Sequence, residues 1–388
     1  MAKLMASMIL GACVLAGGNA LAGGYAKFVD ITVDKLENVA AENCPVLVRV
    51  TAAKVPGFYA DVQHAGADVK FTDLTGKTAY PHEIDTWDPS GESLFWVKVP
   101  SLRNGEKFRM YYSNPSVSVV APSTGLWSGY VAVWHLNGTA SEADSTANGY
   151  VGVAVNTAGA AEGHVGKSHR INTTTDARST VGAIKIANSA NLAFGESFTV
   201  SGWVKANSGT HGPEAIFAKK NADVWGKDGG FALYTASWDS YCGKAMMCSV
   251  GQGQGTQLNV RTDSEKDKCY GDGNWHHLAI SYVGGTTIKV HLDGKISSET
   301  TTEALVPTAN AELFVLGGPS DANESVIGTS QTEKTIAAFK GMMDEFRISL
   351  GSRETSDINA ECQAAGDVLT FDAPVTDDAE ATSAVMLF

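Results

Sequence analysis

After residue 22, no run of apolar residues in this 388-residue chain approaches the roughly 20 that a membrane-crossing helix requires. Clusters of Lys and Arg are also missing. The chain has 29 basic and 42 acidic residues and a formal charge of −13, which excludes a broad surface that grips nucleic-acid phosphates. No Cys-x-x-Cys pair suggests a structural zinc site, no Gly-x-Ser-x-Gly turn presents a nucleophile, and no Gly-x-x-x-x-Gly-Lys loop cradles phosphate. Long amphipathic helical patterns are scarce. What remains is a chain with 41 Gly and many Thr, Ser, Val and Asn in turn-and-strand order. Its hydrophobic content of 44% is enough to build sizeable cores in two or three domains.

The clearest local pattern runs from Asn274 to Gly294. Leu278, Ile280 and Tyr282 alternate with small or polar residues, Gly284-Gly285 permits a primed turn, and Ile288, Val290 and Leu292 resume the alternation. This predicts a β-hairpin with one buried face. Asp293-Gly294 predicts a second turn and an antiparallel meander, so the chain reads as an all-β sandwich or barrel.

The first residues have the layout of an export signal covering 1–22. Lys3 supplies a positive start, Leu4 to Leu15 is apolar, and Ala20-Leu21-Ala22 offers small residues for cleavage. A lipoprotein-like box, Leu10-Gly11-Ala12-Cys13, ranks second to cleavage after Ala22. In an exported chain the five later cysteines, Cys44, Cys242, Cys248, Cys269 and Cys362, are disulfide candidates. Their number is odd and their pairing stays open, with Cys242 able to close a short loop to Cys248 and Cys269 as a competing partner.

Between Phe28 and about Pro115 the chain has its own rhythm of short strands. It contains Asp-Val-Lys-Phe-Thr-Asp-Leu-Thr-Gly76, Tyr80-Pro-His-Glu-Ile-Asp-Thr-Trp-Asp88, Trp96-Val-Lys-Val-Pro100 and Tyr111-Tyr-Ser-Asn114. These segments resemble the bacterial domain-of-unknown-function family 2341 (DUF2341), and the resemblance implies a small β-sandwich of residues 23–115 with no known reaction. Residues 116–126 read as a linker rich in turn formers. The next segments include Phe198-Thr-Val-Ser-Gly-Trp-Val204, Trp275-His-His-Leu-Ala279 with Leu292-Asp-Gly294, and Met343-Asp-Glu-Phe-Arg-Ile348. They resemble the laminin-G-like, concanavalin-type domains, which implies an antiparallel jelly roll over 127–352. Such domains are mostly secreted or surface-exposed, often hold a structural calcium ion, and in some cases bind glycans or proteins. Residues 353–388 read as a short helix, capped by Ser356 and ended by Gly366, followed by a loosely held acidic tail.

The expected metal ligands are Asp344 and Asp144. Strict alternation along Met342 to Ile348 places Asp344 on the apolar face of Met342, Phe346 and Ile348, where a carboxylate needs several donors or a cation. The alternative is an Asp bonded to loop amides. Asp144, in a loop with Ser145 and Asn148, is the weaker candidate, with an ordinary Asx turn as its alternative. The resemblance to laminin-G domains tips Asp344 towards calcium. Glu83, Asp85 and Asp88 suggest a glycosidase pair, but the last position is an Asp and the segment lies outside the jelly roll, so no catalytic residue is expected. His276 and His277 are strand neighbours that point to opposite faces and are poor co-ligands. Trp225, Trp238 and Tyr241 are candidates for a glycan platform, against a commoner fate as loop anchors.

The expected protein is exported, to the periplasm, cell surface or exterior, and is a non-enzymatic recognition or adhesion protein whose partner is a glycan or surface protein. A glycan-processing enzyme is the first alternative. An envelope component working with a proton-channel complex is the second, since DUF2341 domains sometimes occur with such modules.

Overall fold

The computed structural model describes residues 24–376 except 118–123, 173–181, 193, 207–213, 221–228, 237–244, 254–255, 262–269, 302–304, 306, 308–309 and 319–336. The fold is all-β, with antiparallel sheets and one C-terminal helix of ten residues, Thr355–Ala364.

The first sandwich pairs a six-stranded sheet, centred on Lys27–Val33 and Lys107–Tyr112, with a three-stranded sheet. In the smaller sheet Ser93–Leu102 lies between Ala41–Val50 and His82–Thr86. Side chains alternate along these strands, so Val46, Val48, Val50, Phe95, Val97 and Val99 meet Val29, Ile31, Phe71 and Met110 in the core. The same alternation turns Leu47, Leu94 and Trp96 outward. They are nevertheless buried, because that outer face packs against the second sandwich.

The second sandwich is a jelly roll of a nine-stranded and an eight-stranded sheet around a core rich in aromatic residues. The hairpin joins Trp275–Val283 to Thr287–Leu292, with Leu278 opposite Leu292, Ile280 opposite Val290 and Tyr282 opposite Ile288. Its turn uses Gly284 and Gly285 at φ 57° and 68°. The turn that follows sets Gly294 at φ 76° against the helix, where a Cβ would lie 2.6 Å from Asn359 Oδ1. In the same sheet Phe198–Ala206 runs between Trp275–Val283 and Gly341–Leu350.

Two features depart from the sequence reading. The acidic tail that follows the helix, from Asp367, is not loose throughout: Leu369–Phe371 and Val375–Thr376 both pair with Lys27–Val33, so the chain returns from the jelly roll to complete the first sandwich. The helix packs Ala360 and Ala364 into the first core. In Gly341–Leu350 the pairing with Phe198–Ala206 slips between Trp203 opposite Asp344 and Ser201 opposite Arg347, and Glu345 at the bulge has φ 52°. Met343, Phe346 and Ile348 consequently share the jelly-roll core, and Asp344 is parted from Phe346 and Ile348. Gly202 makes room for the bulge, since a Cβ there would stand 2.5 Å from the Phe346 ring.

Cys44, Cys248 and Cys362 carry free thiols and not disulfides, the first two of them buried. The Cys248 side chain is part of the jelly-roll core instead. Cys242, Cys269, Cys13, Trp225, Trp238, Tyr241 and the export layout of 1–22 lie outside the described residues. No described helix is long and apolar enough to cross a membrane.

Candidate functional site

The seam between the sandwiches is apolar at its base and charged within. Leu47, Leu94 and Trp96 of the first sandwich meet Leu126, Trp127, Val133, Val165 and Trp203 of the second. Arg347, brought to this side by the bulge, lies over the Trp96 ring at 4.4 Å and the Trp127 ring at 4.8 Å.

Around this arginine five further ionisable side chains converge. His135 follows the strand Tyr130–Trp134. Its Nε2 is 2.8 Å from Glu83 Oε1, its Nδ1 is 2.7 Å from Glu345 Oε1, and Asp85 Oδ2 lies 3.4 Å from Nδ1. Trp127 Nε1 donates to Glu83 Oε1 at 2.8 Å, Thr86 Oγ1 to Asp85 Oδ1 at 2.8 Å, and Arg347 Nη2 to Glu345 Oε2 at 2.9 Å. Burial alone would depress His135, but Glu345, Glu83 and Asp85 outweigh it and raise it well above the ordinary imidazole value. Burial pushes the Asp85 carboxyl up to about 6, partly offset by His135. Asp344, fully buried beside Glu345, is raised well above the carboxylate range. Glu345 goes the other way because His135 and Arg347 outweigh its burial.

The two expected metal residues share no hydrogen-bond partner. Asp344 Oδ2 accepts the Val165 N–H at 2.8 Å, and Oδ1 is buried with no hydrogen-bond partner. Asp144 accepts the N–H groups of Val133, Thr146 and Tyr150 and the Thr146 hydroxyl, at 2.8–3.0 Å. Donors occupy Asp144, whereas Asp344 meets an N–H through Oδ2 alone and keeps Oδ1 free of a hydrogen-bond partner. Among the described residues the group whose side chains could jointly hold a metal is Asp85, His135 and Glu345. Asp85 was visible in the sequence only as half of a discounted glycosidase pair. His135 and Glu345 carried no local signal.

Adjacent charges extend the seam. Glu361 of the helix accepts from Ser201 Oγ, Tyr130 Oη at 3.1 Å and His277 Nε2 at 3.3 Å. Its burial would raise it, yet His277, Arg347 and Arg353 hold it well below the usual range. His276 instead meets Asp272 and Asp293, so the two neighbouring histidines do serve different surroundings.

Beside the seam lies an open cavity of about 480 Å³ whose lining includes Trp127, Tyr130, Ser128, Ser145, Thr146 and Asn148. Asp144 pins its loop through the four bonds above, and Asn148 Nδ2 donates to Val131 O at 2.8 Å.

A jelly roll joined to a smaller sandwich defines the broad class, and sequence families place its two parts. Residues 178–359 match the concanavalin A-like lectin/glucanase superfamily (Laminin_G_3), and residues 65–125 match the domain of unknown function DUF2341. The chain thus carries a DUF2341 domain followed by a concanavalin A-like domain. No curated protein matches the chain in sequence. Among solved structures, the binding domain of Paraclostridial Mosquitocidal Protein 1 is 14% identical with a TM-score of 0.46, over 61% of this chain and 52% of that one. Domain 4 of AbnA, a GH43 extracellular arabinanase from Geobacillus stearothermophilus solved with arabinotriose, is 20% identical with a TM-score of 0.42, over 60% and 98% of the respective chains. A structure of botulinum neurotoxin type C is 12% identical with a TM-score of 0.44, over 61% and 51%. The chain therefore spans about half the length of the two toxin chains.

Proposed function

We propose that this protein is an exported, non-enzymatic recognition or adhesion protein that binds glycan in the cavity beside the domain seam. The observation that carries the reading is the cavity itself: about 480 Å³, with Trp127 and Tyr130 next to Ser, Thr and Asn side chains. Small-molecule sites commonly have volumes of about 300–1,000 Å³ and combine apolar faces with a few fixed polar groups, as sugar recognition requires. The concanavalin A-like family of residues 178–359 includes lectins, which supports the same reading. Asp144 fixes the loop before any ligand arrives, which lowers the ordering cost of binding.

Binding is favoured over hydrolysis because Glu83 and Asp85 are turned into the seam and engaged by Trp127, His135 and Thr86, with the Asp85 side chain only 1% exposed. The layout of residues 1–22 supports export. A glycan array probed with the purified protein tests recognition, and each oligosaccharide retained is then assayed for released reducing sugar. Retention without cleavage is expected. Cleavage lost on Glu83→Gln would replace this reading with that of a hydrolase, and retention of no glycan would remove it.

A further inference from the structure

The reason Asp85, His135 and Glu345 meet at the seam is not supplied by glycan binding. The three come from different parts of the chain: a strand of the first sandwich, the residue after the first jelly-roll strand, and the bulge of the last one. One ligand atom from each lies within 4.8 Å of the other two. We propose that these side chains bind a divalent first-row transition-metal ion, of which zinc is the test case, and that the ion ties the two sandwiches together.

Four observations support this assignment. The first is spacing: ligands held ~2.1 Å from zinc lie ~3.0 Å apart at right angles and ~3.4 Å apart at the tetrahedral angle. His135 Nδ1 is 2.7 Å from Glu345 Oε1 and 3.4 Å from Asp85 Oδ2, so a small adjustment admits an ion. The second is an orphan: Asp85 Oδ2, the atom aimed at this point, is buried and has no hydrogen-bond partner. Its 3.4 Å approach to His135 Nδ1 is an ion pair without a hydrogen bond, and a cation would engage this buried oxygen directly.

The third is orientation from behind. Each ligand is held through its other polar atom: His135 Nε2 by Glu83, Glu345 Oε2 by Arg347 and Asp85 Oδ1 by Thr86. An imidazole whose far nitrogen donates to a carboxylate is the usual outer arrangement of a metal-bound histidine. The fourth is charge. Glu83, Asp85 and Glu345 set three carboxylates around His135 beside the single guanidinium of Arg347, and a divalent ion in place of the Nδ1 proton would add positive charge where they converge. The donor set also selects the ion. One imidazole nitrogen with two carboxylates suits zinc, iron or manganese, whereas calcium takes oxygen ligands in larger number.

The backbone is consistent with a built site. Glu345 at φ 52° and Leu136, next to His135, at φ 57° are both non-glycine residues in the left-handed region, where backbone strain is retained only if the surroundings hold it.

The full chain, stripped with chelator and dialysed, would be titrated with zinc and with calcium while thermal unfolding and metal content are followed. Zinc should bind at about one ion per chain and raise Tm by several degrees at saturation, with calcium inert. Cobalt should give the intense visible bands of a low-coordinate, protein-bound ion. Asp85→Asn, folded by circular dichroism, should bind zinc at least about tenfold more weakly, and His135→Gln likewise. Metal content far below one per chain, a cobalt spectrum like that of the hydrated ion, or unchanged zinc affinity in a folded Asp85→Asn would each overturn the proposal. If the variants fail to fold, the wild-type stoichiometry and cobalt spectrum decide alone. None of these readouts uses glycan.

Discussion

His291 is fully buried on the strand Thr287–Leu292, and neither ring nitrogen has a hydrogen-bond partner. Burial, helped by His277 and Lys289, pushes it down to about 4, and burial with Arg49 does the same to His164. A base whose folded pKa is depressed stabilises the fold above its unfolded pKa, near 6.5, and loses that contribution as pH falls towards the folded value. These two histidines therefore contribute a decline between pH 6.5 and 4 of about 3 kcal/mol each, opposed in the same window by Asp85, whose raised carboxyl takes up its proton first in the folded state. His291→Leu should flatten roughly half of that slope, as read by urea unfolding at a series of pH values. Glu361 acts in a lower window. Its folded pKa is depressed, so its contribution is present above about pH 4.3 and lost below it. Glu361→Gln should cost about 3 to 5 kcal/mol at neutral pH by removing the buried carboxylate that faces Arg353 at 3.9 Å and bonds to His277, Arg347 keeping Glu345, and should remove the lowest part of the acid slope.

At the scale of elements, the bulge in Gly341–Leu350 determines which side chains reach the seam. It depends on Gly202, where an added methyl group would press into the Phe346 ring. Gly202→Ala should destabilise by about 1 to 3 kcal/mol through overpacking, measurable by chemical denaturation. Gly294→Ala should also destabilise, because it meets both a left-handed backbone and the body of Asn359. The hairpin was legible in the sequence because alternation is a local property: Leu278, Ile280 and Tyr282 show their face within five residues. Asp344 was not, since one inserted residue reverses a face and nothing in Met-Asp-Glu-Phe-Arg marks where the insertion falls. Leu369–Phe371 escaped because three residues carry too little period to distinguish a strand from a tail.

At the scale of the molecule, the two sandwiches are tied by the charged and aromatic seam and by the C-terminal return of Leu369–Phe371 to Lys27–Val33. Ending the chain at residue 366 should lower the stability of the first sandwich, because it strips a neighbour from the strand bearing Ile31 and removes Val368 and Leu369 from the core. Limited proteolysis should then cut first within residues 27–112. The fold class was legible from composition and pattern, since both sandwiches repeat one simple rule. The convergence of Asp85, His135 and Glu345 was not, because it arises from docking two domains and has no spacing in the sequence.

The most direct test of glycan recognition is a calorimetric titration, with the best-retained oligosaccharide, of the wild type and of Ala147→Trp. Ala147 is exposed on the cavity wall, so a larger side chain there fills the space without disturbing the seam. The account predicts at least about tenfold weaker binding by the variant, or 1.4 kcal/mol, at unchanged Tm. Equal affinity in the two proteins would contradict it and place recognition elsewhere on the molecule.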